Sequence, residues 1–213
     1  MEKIKLSEFG FDILQIESTA ACNMACSFCP YPLKEDKVSK LELKNIYTVL
    51  DRIDFKEKGF KYVTFSQFNE PLLDKRIFEI LKYCKEKDIP VLFITNGLLL
   101  NKENNINNLI KYASNIKISL QVLDVNKHKS VRGLNLELDR YVKSIIGFCL
   151  TAKNTNGLNI TIDLGCNFND KKLNYYIKKA LGVQVGDPSV PRDLDSTIKM
   201  FSKFLHYFYD ISD

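Results

Sequence analysis

Residues 13–30 have the sequence ILQIESTAACNMACSFCP, and this stretch guides the interpretation of the whole chain. Ile13–Glu17 is a short run of mainly β-branched and apolar residues, which predicts a strand. Cys22, Cys26 and Cys29 follow it with the spacing C-x3-C-x2-C, close enough for one loop to surround a single metal centre. Thiolates select zinc or iron–sulfur clusters over hard cations. The stretch therefore predicts a strand that leads into a metal-binding loop.

The number of cysteines in this loop bears on the kind of metal centre. A closed structural zinc site has four protein ligands, and an ordinary electron-transfer 4Fe–4S cluster has four cysteines. Three cysteines on a four-iron cluster leave one iron open to an external ligand, so the site would be reactive. A structural zinc ion that takes a remote fourth ligand is the alternative that the spacing leaves open.

The composition is that of an ordinary globular protein. The chain has 213 residues, of which 45% are apolar and 27% charged, so we expect a single domain over residues 1–213. The net charge of +5 comes from lysines scattered over many segments, so no nucleic-acid partner is expected. No apolar run reaches the ~20 residues of a spanning helix, and the N-terminus lacks a signal peptide. These features predict a cytoplasmic protein without a membrane partner, with cysteines that are reduced, metal-bound or buried.

Strand-like and helix-like segments alternate along the chain. The predicted strands are Ile13–Glu17, Tyr62–Ser66, Val91–Thr95, Ile116–Leu120, Ile160–Leu164 and Val183–Val185. Helical periodicity covers residues 43–53, 77–84 (with Asp74 as the N-cap), 106–113, 138–149, 173–180 and about 193–209. Such alternation predicts right-handed crossovers and a parallel sheet. Six units are too few for a closed eight-stranded barrel, so the expected fold is α/β, an open (βα)6 partial TIM-type barrel with a curved parallel sheet.

Polar residues cluster where the predicted strands end. Chemistry in parallel α/β folds lies in the loops at the carboxyl ends of the strands. Five such loops carry polar or reactive side chains: the cysteine loop, Asn69-Glu70-Pro71, Thr95-Asn96-Gly97, Ser119-Leu120-Gln121 and Asp163-Leu164-Gly165-Cys166. The coincidence favours one open-mouthed site. Cys84 and Cys149 instead lie on apolar helical stripes, where a free cysteine is expected to pack in the core.

These motifs together resemble the radical S-adenosylmethionine (SAM) enzymes. The matching residues are the C-x3-C-x2-C loop with Phe28 before its third cysteine, Asn69-Glu70-Pro71-Leu72-Leu73, Thr95-Asn96-Gly97, and Ser119 followed by Arg132-Gly133. They occur in the family's order, on the expected elements. The pattern is most similar to the branch that modifies peptides, proteins or small molecules. Many members of that branch carry a C-terminal cysteine-rich auxiliary domain, which these 213 residues do not encode.

The resemblance implies two cofactors and a set of residues that hold them. Cys22, Cys26 and Cys29 would bind a 4Fe–4S cluster whose open iron chelates the amino and carboxylate groups of SAM. Residues expected to contact SAM are Phe28 near the adenine, Asn69 and Glu70 at the ammonium group, Ser119 at the ribose or carboxylate, Arg132 at the methionyl carboxylate, and the backbone near Val183 at the adenine edge.

The sequence departs from the family pattern at two places. Phe68-Asn69 stands where the family usually has two glycines, and we expect Asn69 to hold the turn with a positive φ. Gln121 stands where relatives often have an acidic side chain.

The implied activity is reductive cleavage of SAM to a 5′-deoxyadenosyl radical, which abstracts hydrogen from a C–H bond of a peptide, protein or small molecule. The outcome for the substrate stays open among oxidation, epimerisation, cross-linking and rearrangement. Cys166 is a candidate hydrogen-atom donor in an epimerisation, with simple packing as its other interpretation. A flavodoxin or ferredoxin is the expected reductant. The alternatives are a degenerate relative that binds the cluster or nucleotide for a partner protein, and a zinc-containing binding protein.

Overall fold

The computed structural model describes residues 3–121, 125–163, 179 and 182–185. Strands and helices alternate through most of this range. The strands are β1 (Ile13–Gln15), β2 (Tyr62–Thr64), β3 (Leu92–Thr95), β4 (Asn115–Ser119), β5 (Asn159–Asp163) and β6 (Val183–Val185). The helices are α1 (Leu43–Arg52), α2 (Ile77–Glu86), α3 (Glu103–Tyr112), α4 (Val125–Arg132) and α5 (Leu138–Ala152).

All neighbouring strands pair in parallel. β1 pairs with β2, and β3, β4, β5 and β6 form a four-stranded sheet in that order. The two sheets meet where the Val63 N–H donates to the Pro90 carbonyl at 2.8 Å. Among the described residues, no pairing joins β1 to β6, so the sheet stays open. The predicted α/β fold with an open parallel sheet is thereby confirmed.

The core fills the space between the sheet and the helices. Phe65, Phe93 and Phe148 are its largest fully buried side chains. Cys84 of α2 and Cys149 of α5 are 1% and 0% exposed, which confirms that these cysteines pack in the core. Among the described residues, no helix is both long and apolar enough to cross a membrane.

Two details of the helices differ from the sequence prediction. α4 was not predicted, because its sequence VNKHKSVR lacks an apolar stripe at helical spacing. The N-cap position of α2 is Arg76 rather than Asp74. Asp74 lies two residues earlier, where its carboxylate accepts the Arg76 backbone N–H at 3.1 Å and pairs with the guanidinium at 2.8 Å. The predicted helices over 173–180 and 193–209 lie outside the described residues, apart from residue 179.

Candidate functional site

The cysteine loop follows β1 at the carboxyl end of the sheet. Cys26 is 9% exposed, while Cys22 and Cys29 are half-buried. The Cys29 N–H donates to the Cys26 carbonyl at 3.1 Å, so the second and third cysteines flank one tight turn. Burial raises the pKa of the Cys22 thiol to about 11 and also raises that of Cys26. The three cysteines therefore lie on one loop at the rim where the strands end.

Tyr31 ties the two ends of the cysteine loop together. Its hydroxyl donates to the Cys22 carbonyl at 2.9 Å, and its backbone N–H donates to the Cys29 sulfur at 3.4 Å. The sequence analysis missed Tyr31. Its position two residues after the third cysteine is the only sequence signal that could have suggested it.

The other side of the loop rests on the end of α4. The Ala25 N–H donates to the Arg132 carbonyl at 3.1 Å, and the Ser27 N–H donates to the Val131 carbonyl at 2.9 Å. Gly133 follows with φ +67°, and a Cβ at this position would lie 2.3 Å from the Ala25 carbonyl oxygen. Only glycine fits so close an approach. The Arg-Gly pair is therefore the surface on which the cysteine loop is seated.

Arg132 brings an incompletely paired positive charge to the same place. The residue is 2% exposed, and its Nη2 donates to the Ser119 carbonyl at 2.9 Å. Its Nε is buried and has no hydrogen-bond partner among the described residues. The Phe28 ring lies 5.9 Å from the guanidinium carbon and is 58% exposed. A buried N–H donor without a partner is uncommon in native structures and calls for a ligand or water as acceptor.

Glu70 braces the loops that follow β2 and β3. It is 1% exposed, and its carboxylate accepts the Leu72 N–H at 3.0 Å, the Thr95 hydroxyl at 2.9 Å and the Asn96 N–H at 2.7 Å. Burial raises the pKa of Glu70, although these donors and Arg132 act in the opposite direction. Most of the acceptor capacity of this carboxylate is thus used inside the protein.

The turn before Glu70 is held differently from the expectation. Among the described non-glycine residues only Asp88 and Gln121 have a positive φ, so the prediction of a positive φ at Asn69 is wrong. The Asn69 side chain closes the turn instead: its Oδ1 accepts the Gln67 N–H at 2.9 Å, and its Nδ2 donates to the Phe65 carbonyl at 3.0 Å. An asparagine side chain can replace a backbone turn in this way.

Asn96 connects β3 to the cysteine loop. Its side-chain amide donates to Asn23 Oδ1 at 2.7 Å, and the hydroxyl of the buried Tyr141 donates to its carbonyl. Gly97 has φ +82°, and a Cβ there would lie 3.0 Å from the Ile145 side chain of α5. The Thr-Asn-Gly turn thus lies between the cysteine loop and α5. Tyr141 was missed as a site residue because its spacing in α5 predicts only core packing.

Ser119 ends β4 beside Asp163, which ends β5. Gln121 joins them, since its Nε2 donates to Ser119 Oγ at 3.1 Å and to Asp163 Oδ2 at 2.8 Å. Lys117 lies 3.6 Å from the same Asp163 oxygen. Gln121 has φ +64°, and its own N–H donates to the Asp163 carbonyl at 2.8 Å. The Gln121 amide can donate to both the Ser119 hydroxyl and the Asp163 carboxylate. An ionised acidic side chain at position 121 has no N–H to donate and would repel the Asp163 carboxylate.

Two predicted site residues are placed only in part or not at all. Val183 begins β6 opposite Ile160, at the far edge of the described sheet, and only its backbone is described. Cys166 lies outside the described residues. The remaining predicted residues, namely the three loop cysteines, Phe28, Asn69, Glu70, Ser119 and Arg132, all lie on the cysteine loop, on α4 or at the carboxyl ends of β2 and β4.

The donor types present here, thiols and a buried guanidinium, suit the cluster and the cofactor that the sequence motif implies. The described residues contain no group of three His, Cys, Asp or Glu side chains close enough to share one metal ion. The thiolates of a four-iron cluster bind different irons, so they stand farther apart than the ligands of a single ion. Beside the thiols, the buried Nε of Arg132 offers a charged donor for a carboxylate.

A family model described as the radical SAM superfamily matches residues 16–173 of the chain. The chain belongs to this superfamily. Superfamily membership implies a 4Fe–4S cluster and SAM as cofactors and supports cleavage of SAM with the cluster.

Comparison with individual proteins gives more distant similarities. A curated protein from Brachyspira hyodysenteriae named GTPase Obg is 28% identical over 181 residues, which cover 81% of this chain and 26% of that protein. The chain thus spans about a quarter of that protein's length, and the activity named there is that of a much longer chain.

Solved structures of radical SAM enzymes share the fold. SuiB from Streptococcus suis, bound to its precursor peptide SuiA, has a TM-score of 0.58 at 18% identity, over 96% of this chain and 48% of that chain. HydG, a maturase of the FeFe-hydrogenase, has a TM-score of 0.56 at 12% identity, over 92% of this chain and 48% of that chain. The chain therefore spans about half the length of each of these enzymes.

Proposed function

We propose that this protein uses SAM to abstract a hydrogen atom from a C–H bond of a peptide, a protein or a small molecule. Superfamily membership and the site at the carboxyl ends of the strands support the proposal. Cys22, Cys26 and Cys29 would hold the cluster. When bound, the reduced cluster supplies the electron that cleaves SAM into methionine and a 5′-deoxyadenosyl radical, the species that takes the hydrogen atom. The residues of the chain bind and orient the cofactor.

The buried Nε of Arg132 carries the proposal. A guanidinium N–H that is buried without a partner matches the carboxylate of an amino-acid cofactor, because the charged acceptor would complete its hydrogen bonds. Nη2 is already fixed by the Ser119 carbonyl at 2.9 Å, so the guanidinium has little freedom to turn away. The methionyl part of SAM provides such a carboxylate. Arg132 is thus proposed as the carboxylate-binding residue.

The turn before Glu70 offers the complementary acceptors. Among the described residues, no hydrogen bond ends on the carbonyl oxygens of Gln67, Phe68 or Asn69. Three neighbouring carbonyls without donors suit an ammonium group, which has three N–H donors and no acceptor. Glu70 would add its negative charge from behind this turn.

The adenosine part of SAM is assigned to the other rim residues. Phe28 presents an exposed ring beside Arg132, where an adenine could stack. Ser119 is proposed for the ribose or the carboxylate, and the β6 backbone near Val183 for the adenine edge. The SuiB structure contains a peptide, which is a property of that protein. For this chain the substrate class stays a proposal, as do the reductant, a flavodoxin or ferredoxin, and Cys166 as a hydrogen-atom donor.

A second candidate is a catalytically degenerate relative that binds the cluster or the nucleotide for a partner protein. The observation that favours it is Phe68-Asn69 in place of the usual glycines. Against it, Asn69 closes this turn with its own side chain, so the turn does not depend on glycine. A degenerate protein would bind SAM to its cluster and release no 5′-deoxyadenosine.

The proposal is tested by turnover under anaerobic conditions. The protein is reconstituted with iron and sulfide, reduced and mixed with SAM, and 5′-deoxyadenosine and methionine are quantified by chromatography. We expect both products from the wild type and neither from a variant with alanine at Cys22, Cys26 and Cys29. A variant with alanine at Cys84 and Cys149 should retain the activity, because both cysteines are buried in the core. No product from a wild type with an intact reduced cluster and bound SAM would contradict the proposal.

A further inference from the structure

Every N–H group of the turn that precedes Glu70 has a defined acceptor, except the N–H of Asn69. The Gln67 N–H goes to the Asn69 side chain, and the Glu70 N–H goes to the Ala21 carbonyl at 2.9 Å. The Phe68 N–H has an acceptor from outside the turn. It donates to Glu17 Oε1 at 2.7 Å, across 51 residues of sequence. Glu17 lies two residues beyond the end of β1 and is not among the residues proposed above to contact the cluster or SAM.

Glu17 makes a second contact with its other oxygen. Oε2 lies 2.7 Å from Nζ of Lys34, which follows the short 3-10 turn Tyr31–Leu33 after the cysteine motif. The Glu17 and Lys34 side chains are 25% and 26% exposed, so this pair is partly shielded from water. One carboxylate therefore links the segment that follows the cysteine motif to the turn that precedes Glu70.

A hydrogen bond that fixes the direction of a backbone N–H also fixes the direction of the carbonyl of the preceding residue. The peptide group is planar, and in a trans peptide the N–H points opposite to the C=O of the preceding residue. No cis peptide is present among the described residues. When Glu17 holds the Phe68 N–H, the Gln67 carbonyl must point away from Glu17. In the same way, the bond from the Glu70 N–H to Ala21 sets the direction of the Asn69 carbonyl.

We propose that Glu17 is a positioning residue, which aims the Gln67 carbonyl at the ammonium group of SAM and thereby does what a flexible glycine turn does in relatives. The inference rests on the proposed function for the identity of the ligand. It gives a physical reason why Phe68-Asn69 can stand in place of two glycines: a charged acceptor two residues beyond β1 fixes the plane of the peptide, so the turn does not need the conformational freedom of glycine. Glu17 acts through the turn and need not touch SAM itself.

The test compares Glu17→Ala and Glu17→Gln with Glu57→Ala. Glu57 is a matched control, because its Oε1 likewise accepts a backbone N–H, that of Leu6 at 2.7 Å, in the N-terminal segment away from the site. Glutamine at position 17 keeps an acceptor oxygen for the Phe68 N–H and loses the charge toward Lys34. Three quantities are measured on each protein: amide hydrogen exchange of residues 66–70, iron bound after reconstitution, and the Kd for SAM by equilibrium dialysis.

For Glu17→Ala we expect roughly tenfold faster exchange in residues 66–70 and a roughly tenfold higher Kd for SAM, since a charge-assisted hydrogen bond is lost. Iron content should stay at the wild-type level. Glu17→Gln should restore exchange and Kd to within about threefold of the wild type, because the neutral acceptor keeps most of the bond. Glu57→Ala should leave both quantities unchanged.

The inference and the proposed function fail in different ways. Unchanged exchange in residues 66–70 of Glu17→Ala, or equal effects of Glu17→Ala and Glu57→Ala on the Kd, would overturn the role of Glu17. A wild type that holds its cluster and does not bind SAM would overturn the proposed function and the ammonium role together. In that case faster exchange in Glu17→Ala would still establish that Glu17 fixes the turn.

Discussion

Replacement of Gly133 by alanine tests how the cysteine loop is held in place. Two separate effects add up at this position. The φ of +67° is unfavourable for any residue with a Cβ, at roughly 1–2 kcal/mol. In addition, the new Cβ would lie 2.3 Å from the Ala25 carbonyl oxygen, well inside van der Waals contact. The Cβ is attached directly to the backbone and the Ala25 oxygen is part of it, so neither atom can turn aside. The cysteine loop must therefore move away from α4.

The size of the second effect follows from the bonds that the movement breaks. The loop is tied to α4 by the N–H groups of Ala25 and Ser27, which donate at 3.1 and 2.9 Å. Each such bond contributes about 0.5–1.5 kcal/mol net, so their loss contributes about 1–3 kcal/mol. Together with the backbone strain, Gly133→Ala should lower the free energy of unfolding by about 2–5 kcal/mol.

Gly157→Ala is the matched control for this prediction. Gly157 has φ +79°, and a Cβ there would meet nothing within 4 Å, so only the backbone strain of about 1–2 kcal/mol applies. Urea unfolding of the metal-free variants gives the free energies, and iron analysis after reconstitution gives cluster occupancy. We expect Gly157→Ala to bind as much iron as the wild type and Gly133→Ala to bind clearly less. Equal losses of stability and equal iron in the two variants would show that the close approach of Gly133 to Ala25 does not hold the cysteine loop in place.

Three further predictions concern single contacts. Glu70→Gln places an amide NH2 against the buried donors of Leu72, Thr95 or Asn96. The free energy of unfolding, measured in urea, should therefore fall by about 1–3 kcal/mol. A fall of less than about 0.5 kcal/mol would contradict the bracing role of Glu70. Tyr31→Phe loses the hydrogen bond to the Cys22 carbonyl, so its reconstituted cluster should lose iron to a chelator faster than the wild type. Tyr47→Phe is the control, because the Tyr47 hydroxyl donates to Glu79 at the same 2.9 Å. Equal rates of iron loss in the two variants would contradict a role of Tyr31 in holding the loop. Burial raises the pKa of the Cys84 and Cys149 thiols from 9.0 to about 12, so the unfolded chain loses these protons first and stability falls as pH rises above 9.0. Each thiol should account for about 1.4 kcal/mol of this loss at pH 10, and a variant with alanine at both positions should lose correspondingly less between pH 8 and 10 in urea unfolding; an identical loss would exclude this cause.

Local signals in the sequence were sufficient for the sheet and for the cysteine loop. The β-branched runs at Ile13–Glu17 and Ile116–Leu120 predicted β1 and β4 to within two residues, because buried parallel strands are rich in such residues. The spacing of the three cysteines is equally local. α4 was missed because a short polar helix has no apolar stripe. Its end contacts the cysteine loop, and Gly133, which follows it, allows the close approach.

The contacts that complete the site could not be predicted, since they join residues far apart in sequence. Glu17 meets Phe68 across 51 residues, and Tyr141 meets Asn96 across 45. Each of these side chains has an ordinary local interpretation as a strand end or a core aromatic. The wrong prediction of a positive φ at Asn69 has the same origin. Asparagine tolerates a positive φ, but it can also close a turn with its side chain. The backbone groups of Phe65 and Gln67 that its side chain meets determine which conformation forms.

We propose that Cys22, Cys26 and Cys29 hold a four-iron cluster that leaves one iron open to SAM. The most direct measurement is the electron paramagnetic resonance spectrum of the reduced, reconstituted protein before and after addition of SAM. We expect a reduced 4Fe–4S signal that changes when SAM is added and that is missing when the three cysteines are replaced by alanine. A spectrum that SAM leaves unchanged, or a cluster that survives the loss of these cysteines, would contradict this proposal.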